Sequence, residues 1–116
     1  MAMVLALTTG DAWRLLQSQP GPVLVFKHST TCGRSAAARR LLDTWLEALG
    51  PSAPPLGVVA VRECRRLSRQ IAEECAVAHA SPQVLALRAG RPSGHLGPGA
   101  ITRAGLDALL ARAQAP

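Results

Sequence analysis

Val23-Leu24-Val25-Phe26-Lys27-His28-Ser29-Thr30-Thr31-Cys32-Gly33-Arg34-Ser35 holds the change of pattern on which the fold turns. Its first four residues are an unbroken apolar run, short and β-prone, entered through Pro20-Gly21-Pro22. Such a run reads as a central strand buried on both faces. Lys27 and His28 close the strand and lead into a polar turn. From Gly33 the period changes. Ala38, Leu41, Leu42, Trp45, Leu46 and Leu49 recur at steps of three and four, which is one face of a helix, with Arg39, Arg40, Asp43 and Glu47 on the other side. Gly50-Pro51 ends that helix. Cys32 therefore stands where a buried strand gives way to a long helix.

Working outward, Thr8, Thr9 and Asp11 signal a first helix, followed by an apolar stripe of Trp13, Leu15 and Leu16. Downstream, Ser52 to Pro55 forms a stiff connection and Leu56 to Val61 a second apolar strand. Leu67, Ile71 and Cys75 recur every four residues and predict a short helix. Val84 to Leu87 predicts a third strand, turning at Ala89-Gly90. A weak fourth strand covers Ser93 to Leu96, where Pro92 and Pro98 fit only an edge. Thr102 caps a last helix whose Leu106, Leu109, Leu110 and Ala113 point inward. The expected architecture is α/β, a single domain over residues 1–116 with a four-stranded mixed sheet flanked by helices. Strand–helix–strand followed by a hairpin and a helix is a thioredoxin-like arrangement.

Composition narrows the field. A chain of 116 residues with 48% hydrophobic content can fold around one modest core. With one Phe, two Trp and no Tyr, that core must be built from Leu, Val and Ala. Every basic residue except Lys27 is arginine, a skew that goes with the abundant alanine and reads as base composition. The net charge of +6 and pI near 11.0 favour anionic partners. Nucleic acid is not the expected partner, because aromatic interleaving and recognisable binding motifs are missing. An anionic small thiol suits the charge equally well. The apolar start Met1–Leu7 is too short for a signal peptide or a membrane span, so a soluble, cytoplasmic protein with no membrane partner is expected. Three cysteines, an odd number, do not make a secreted disulfide framework.

The chemistry centres on Cys32. The first N–H groups of a helix lack internal partners and carry the positive end of its dipole, and Arg34 adds a charge two residues on. Both favour a thiolate, the species that attacks disulfides. Small polar flanks, Ser29-Thr30-Thr31 and Gly33-Arg34, favour exposure over packing. Position 35 is Ser, so the Cys-x-x-Ser pattern leaves no local resolving thiol; Ser35 is either an ordinary first-turn residue or a hydrogen-bond donor toward the sulfur. Pro82, in Ser81-Pro82-Gln83, precedes a strand. In a thioredoxin arrangement a proline here is cis and beside the reactive cysteine, leaving the Ser81 main chain to meet an extended substrate. Cys75 reads as a buried small hydrophobe and Cys64 as an exposed strand-end residue or a resolving thiol, although no spacing brings it to Cys32. His28-x-x-x-Cys32 and Cys75-x-x-x-His79 fall on different elements, so no metal is expected. His79 reads as a loop residue bracing the proline turn and His95 as solvent-facing. The pairs Arg39-Arg40 and Arg65-Arg66 are solvated helix faces, or else attract an acidic thiol.

Val25 to Ser35 resembles the active-site stretch of the monothiol bacilliredoxin (BrxC, YtxJ) family. Ser68-Arg69-Gln70-Ile71-Ala72-Glu73 through His79-Ala80-Ser81-Pro82-Gln83-Val84-Leu85 is similar to that family's second signature. The resemblance implies a thioredoxin-like fold and an oxidoreductase of redox homeostasis under oxidative stress. Cys32 would be catalytic, with Thr31, Gly33, Arg34, Ser35, Ser81 and Pro82 around the substrate. No bound cofactor is implied. Bacillithiol, a cysteinyl-glucosaminyl-malate thiol, would be the reducing co-substrate, and bacillithiolated proteins the clients. Gly33 departs from the family's proline, which loosens the helix start but supplies an N–H. The competing expectations are a noncatalytic thioredoxin-like sensor or adaptor, whose modified cysteine is not regenerated, and a basic nucleic-acid-binding domain.

Overall fold

In the computed structural model, which describes residues 3–115, the Val23–Phe26 run occupies the middle of a five-stranded sheet. The elements follow as β1 (Val4–Ala6), α1 (Gly10–Gln17), β2 (Pro22–His28), α2 (Gly33–Leu49), β3 (Leu56–Ala60), α3 (Arg65–Cys75), β4 (Gln83–Arg88), β5 (Arg91–Leu96) and α4 (Arg103–Gln114). Their lateral order is β1-β3-β2-β4-β5. The first three strands of the chain run parallel, β4 is antiparallel to β2, and β5 to β4. This is a thioredoxin-like mixed sheet, with one strand more than the four expected. The addition is β1, which pairs Val4, Leu5 and Ala6 with Leu56, Gly57 and Val58. Three residues are too few to show a period, and their pairing satisfies backbone groups that β3 would otherwise leave open at its edge.

Topology sets the layers. The step from β1 to β2 and the step from β2 to β3 run in opposite directions across the sheet. A common crossover hand then requires α1 and α2 to lie on opposite faces. Leu24 and Phe26 accordingly pack with Leu42, Trp45 and Leu46 of α2 and Leu106, Leu109 and Leu110 of α4. Val23 and Val25 pack with Trp13 and Leu16 of α1 and Leu67, Ile71 and Cys75 of α3. The inward residues expected of α4 are all buried. Leu15, expected in the α1 stripe, is 52% exposed; the inward pair of that short helix is Trp13 and Leu16. Gly57 lets α1 approach the sheet, since a Cβ there would stand 2.6 Å from a methyl of Leu16 and 2.7 Å from one of Leu7. Pro92 lies in β5, an outer strand, where its missing N–H is tolerated.

Two helices start on conventional caps: Thr9 Oγ1 accepts from the Ala12 N–H, and Thr102 Oγ1 from the Gly105 N–H. The start of α2 differs, and there the site is built.

Candidate active site

Cys32 is the N-cap residue of α2, in extended conformation, and its side chain makes no capping hydrogen bond. The Cys32 carbonyl accepts from the Ala36 N–H at 3.0 Å, which anchors the first turn. The N–H groups of the first helical residues have no partner within the helix. Among the described residues no acidic side chain lies in the first turn, and Arg34 there is exposed. A half-buried cysteine thus meets an electropositive helix end. Gly33, the first helical residue, is exposed, and a Cβ there would meet nothing within 4 Å.

Ser35 is wholly buried. Its hydroxyl accepts from the Ser29 N–H at 2.9 Å and shares a 2.7 Å hydrogen bond with His28 Nδ1. Through these two bonds it braces the loop that carries Cys32. His28 in turn stacks on Phe26, with ring centroids 5.3 Å apart. Burial pushes the His28 imidazole below its ordinary value, the Arg39 charge adds to this, and Glu63 opposes it. His28 is accordingly neutral near pH 7.

The strand ends supply the other walls. The Val61 N–H donates to the His28 carbonyl at 2.9 Å, so the chain leaving β3 passes beside the loop. The next turn clamps it: Arg62 Nη1 donates to Thr31 Oγ1 and Thr30 Oγ1 donates to Glu63 Oε2, each at 3.1 Å. On the β4 side, Lys27 pairs with Gln83, and extending that register by one sets Pro82 across from His28. The Ser81–Pro82 peptide is cis, as expected for this fold. Pro82 is buried and Ser81 half-buried, while Thr31 is exposed like Gly33 and Arg34. Ser81 Oγ and Gln83 Oε1, on either side of the proline, are buried without a protein partner.

Behind the loop lies a group the sequence reading passed over. Lys27 is wholly buried, and its Nζ donates to the Ser68 carbonyl at 3.1 Å and lies 3.2 Å from His79 Nδ1. Burial pulls the Lys27 ammonium below its ordinary value, partly offset by Cys75. Burial followed by the Lys27 charge lowers His79 as well. Alternation in β2 could have found this lysine, because Lys27 shares the face of Val23 and Val25. His79 joins Lys27 and Ser68, while the proline turn is braced by Gln83 Nε2 donating to the Ala78 carbonyl at 3.1 Å. His95 is exposed. Cys75 is a core residue, and burial pushes its thiol up. Cys64 is half-buried and borders a depression with Thr8, Thr9 and Gly10, on the α1 side of the turn. Among the described residues no three His, Cys, Asp or Glu side chains gather as a metal centre would need. No described helix is long and apolar enough to cross a membrane.

Known proteins carry the same frame. A solved structure described as a candidate oxidoreductase with a thioredoxin fold is 26% identical, with TM-score 0.84 over 92% of this chain and 93% of that one. A variant thioredoxin of Halobacterium salinarum is 13% identical, with TM-score 0.78 over 98% and 93%. Thioredoxin of Fasciola hepatica is 13% identical, with TM-score 0.75 over 94% and 98%. These last two share the fold alone. The family model described as Monothiol bacilliredoxin BrxC matches residues 6–106. Fold and family together support thiol–disulfide redox chemistry, and with most of its length matched the chain belongs to the monothiol bacilliredoxin BrxC family.

Proposed function

We propose that the protein removes bacillithiol from S-bacillithiolated proteins by thiol–disulfide exchange at Cys32. The observation that carries this reading is a half-exposed cysteine at a helix start with a buried serine, not a second thiol, three residues on. In the first step the Cys32 thiolate attacks the bacillithiol sulfur of the client's mixed disulfide. That S–S bond breaks, a Cys32–bacillithiol disulfide forms, and the client leaves as a thiolate that takes a proton from water. In the second step the thiolate of free bacillithiol attacks the bacillithiol sulfur held on Cys32. This releases the Cys32 thiolate and the oxidised disulfide of two bacillithiols. One client disulfide is reduced for each free bacillithiol oxidised.

The chain's own residues have separate tasks. The open N–H groups at Gly33 and Arg34 and the exposed Arg34 side chain face the arriving disulfide from the start of α2. Thr31 and the Ser81 main chain border the sulfur's loop and offer polar contacts to the arriving disulfide. Ser35 keeps the loop in place from below. A reducing compartment, in which Cys32, Cys64 and Cys75 stay thiols, is the setting this chemistry needs.

Turnover tests the reading. A catalytic amount of protein with excess free bacillithiol should clear many equivalents of a bacillithiolated client. Cys32→Ser should abolish clearance, while Cys64→Ser and Cys75→Ala retain it. Clearance that stops at one equivalent would instead indicate a sensor or adaptor.

A further inference from the structure

Three of the many arginines gather on one flank of the Cys32 loop. Arg62, Arg65 and Arg69 line a surface cavity of about 300 Å³ together with Val61, Ser68 and His79. Arg62 bridges cavity and site, since its Nη1 donates to Thr31 Oγ1, on the residue before Cys32. Ser68 and His79 join the cavity to buried Lys27, which donates to the Ser68 carbonyl and lies 3.2 Å from His79 Nδ1. The cavity therefore has an arginine rim backed by the buried Lys27 side chain.

Among the described residues no acid forms an ion pair with this rim. The ion pairs among the described residues are Arg14–Asp11 and Arg39–Asp43, neither of which involves it. Glu63 is bound by Thr30, outside the cavity lining. Glu73, four residues after Arg69, borders an adjoining depression with Arg65 and Arg69 and lies outside the cavity lining. Glu74 accepts from Trp13 Nε1 and from Gln70 Nε2. Arg65 and Arg69 stand four residues apart on α3, a like-charge spacing that works against the helix. A solvated face would relieve that repulsion with alternating signs. A multiply charged anion relieves it on binding, and guanidinium groups suit the planar, two-oxygen face of carboxylates.

We propose that this cavity binds a dicarboxylate arm of the small thiol in the mixed disulfide, holding its sulfur at Cys32, so that Arg65 and Arg69 determine which thiol the protein serves. The assignment rests on the exchange reading of Cys32 and adds specificity residues to it.

Two mixed disulfides of one client protein separate charge recognition from exchange, one formed with bacillithiol and one with neutral 2-mercaptoethanol. The double variant Arg65→Gln/Arg69→Gln should lower kcat/KM for the bacillithiol disulfide about tenfold or more, through lost charge-assisted hydrogen bonds. It should leave the neutral disulfide within about twofold, and Arg65→Lys/Arg69→Lys should restore part of the loss. An equal fall on both disulfides, or none on either, overturns the assignment. Titration with free malate gives a readout independent of exchange. The amides of Val61, Ser68 and His79 should shift saturably in the wild-type protein and not in the Gln variant. Failure to shift also overturns the assignment. Saturable malate binding without bacillithiol exchange would overturn the exchange reading instead, leaving the dicarboxylate cavity in place.

Discussion

Removing one oxygen atom tests how the reactive loop is held. Ser35→Ala takes away an acceptor for the Ser29 N–H and a partner for His28 Nδ1, at 2.9 Å and 2.7 Å, inside a residue with no exposed surface. The substitution adds no atom and leaves the helix backbone unchanged, so the loss is that of two hydrogen bonds. Each orphaned polar group costs about 1–3 kcal/mol when buried. Both partners are only partly buried, so water recovers some of this, and the expected destabilisation is about 2 kcal/mol. For a domain of this size that is roughly 6–12 °C in Tm. Urea unfolding with an unchanged m-value is the assay. A double-mutant cycle with His28→Phe, which keeps a ring over Phe26, should return a coupling of about 1 kcal/mol. A loss below about 0.5 kcal/mol, on the scale of an unremarkable surface change, would refute the bracing role and return Ser35 to the ranks of ordinary first-turn residues.

Other substitutions probe neighbouring parts of the account. The lowered His28 and His79 values mean that the unfolded chain takes up protons first as pH falls below 6.5. Stability should be complete above 6.5 and decline from there through the lower folded values, with part of the slope removed in His28→Phe. Wild-type stability that stays flat down to about pH 5 would contradict this. Gly33→Ala should stabilise the protein by about 0.4–1 kcal/mol, because the new Cβ meets nothing and the unfolded chain loses freedom; destabilisation in a denaturant titration would show that the glycine is structurally required. Cys75→Ala should cost about 1–2 kcal/mol of stability, read by urea unfolding, and leave the exchange rate unaltered. Loss of exchange with folding preserved would give Cys75 a chemical role.

What the sequence disclosed was local. The change from an apolar run to a helical period located Cys32 at the helix start, and Ala38, Leu42, Trp45 and Leu46 are buried as that period predicts. β1 escaped notice because three residues show no period, and its pairing depends on an edge created by a distant segment. Leu15 was misplaced because one short helix presses only a narrow stripe against the sheet. The hydrogen bonding of Ser35 was not legible, because adjacency to Cys32 says nothing about which way a first-turn side chain points. Its partners, Ser29 and His28, lie across a turn with no periodic relation to it. The arginine cavity was equally hidden. Arg62 comes from the turn after β3, Arg65 and Arg69 from α3, and His79 from the loop before β4, and only the folded sheet brings them together on the flank of the loop that carries Cys32.

The central claim is that a single sulfur, Cys32, accepts bacillithiol and gives it up again. Intact mass tests this most directly, with the protein mixed first with a bacillithiolated model protein and then with free bacillithiol. The account predicts the gain of one bacillithiol, mapped to Cys32, its removal by the free thiol, and no gain in Cys32→Ser. A folded protein with a reactive Cys32 that gains no bacillithiol, or gains it on Cys64 instead, would contradict it.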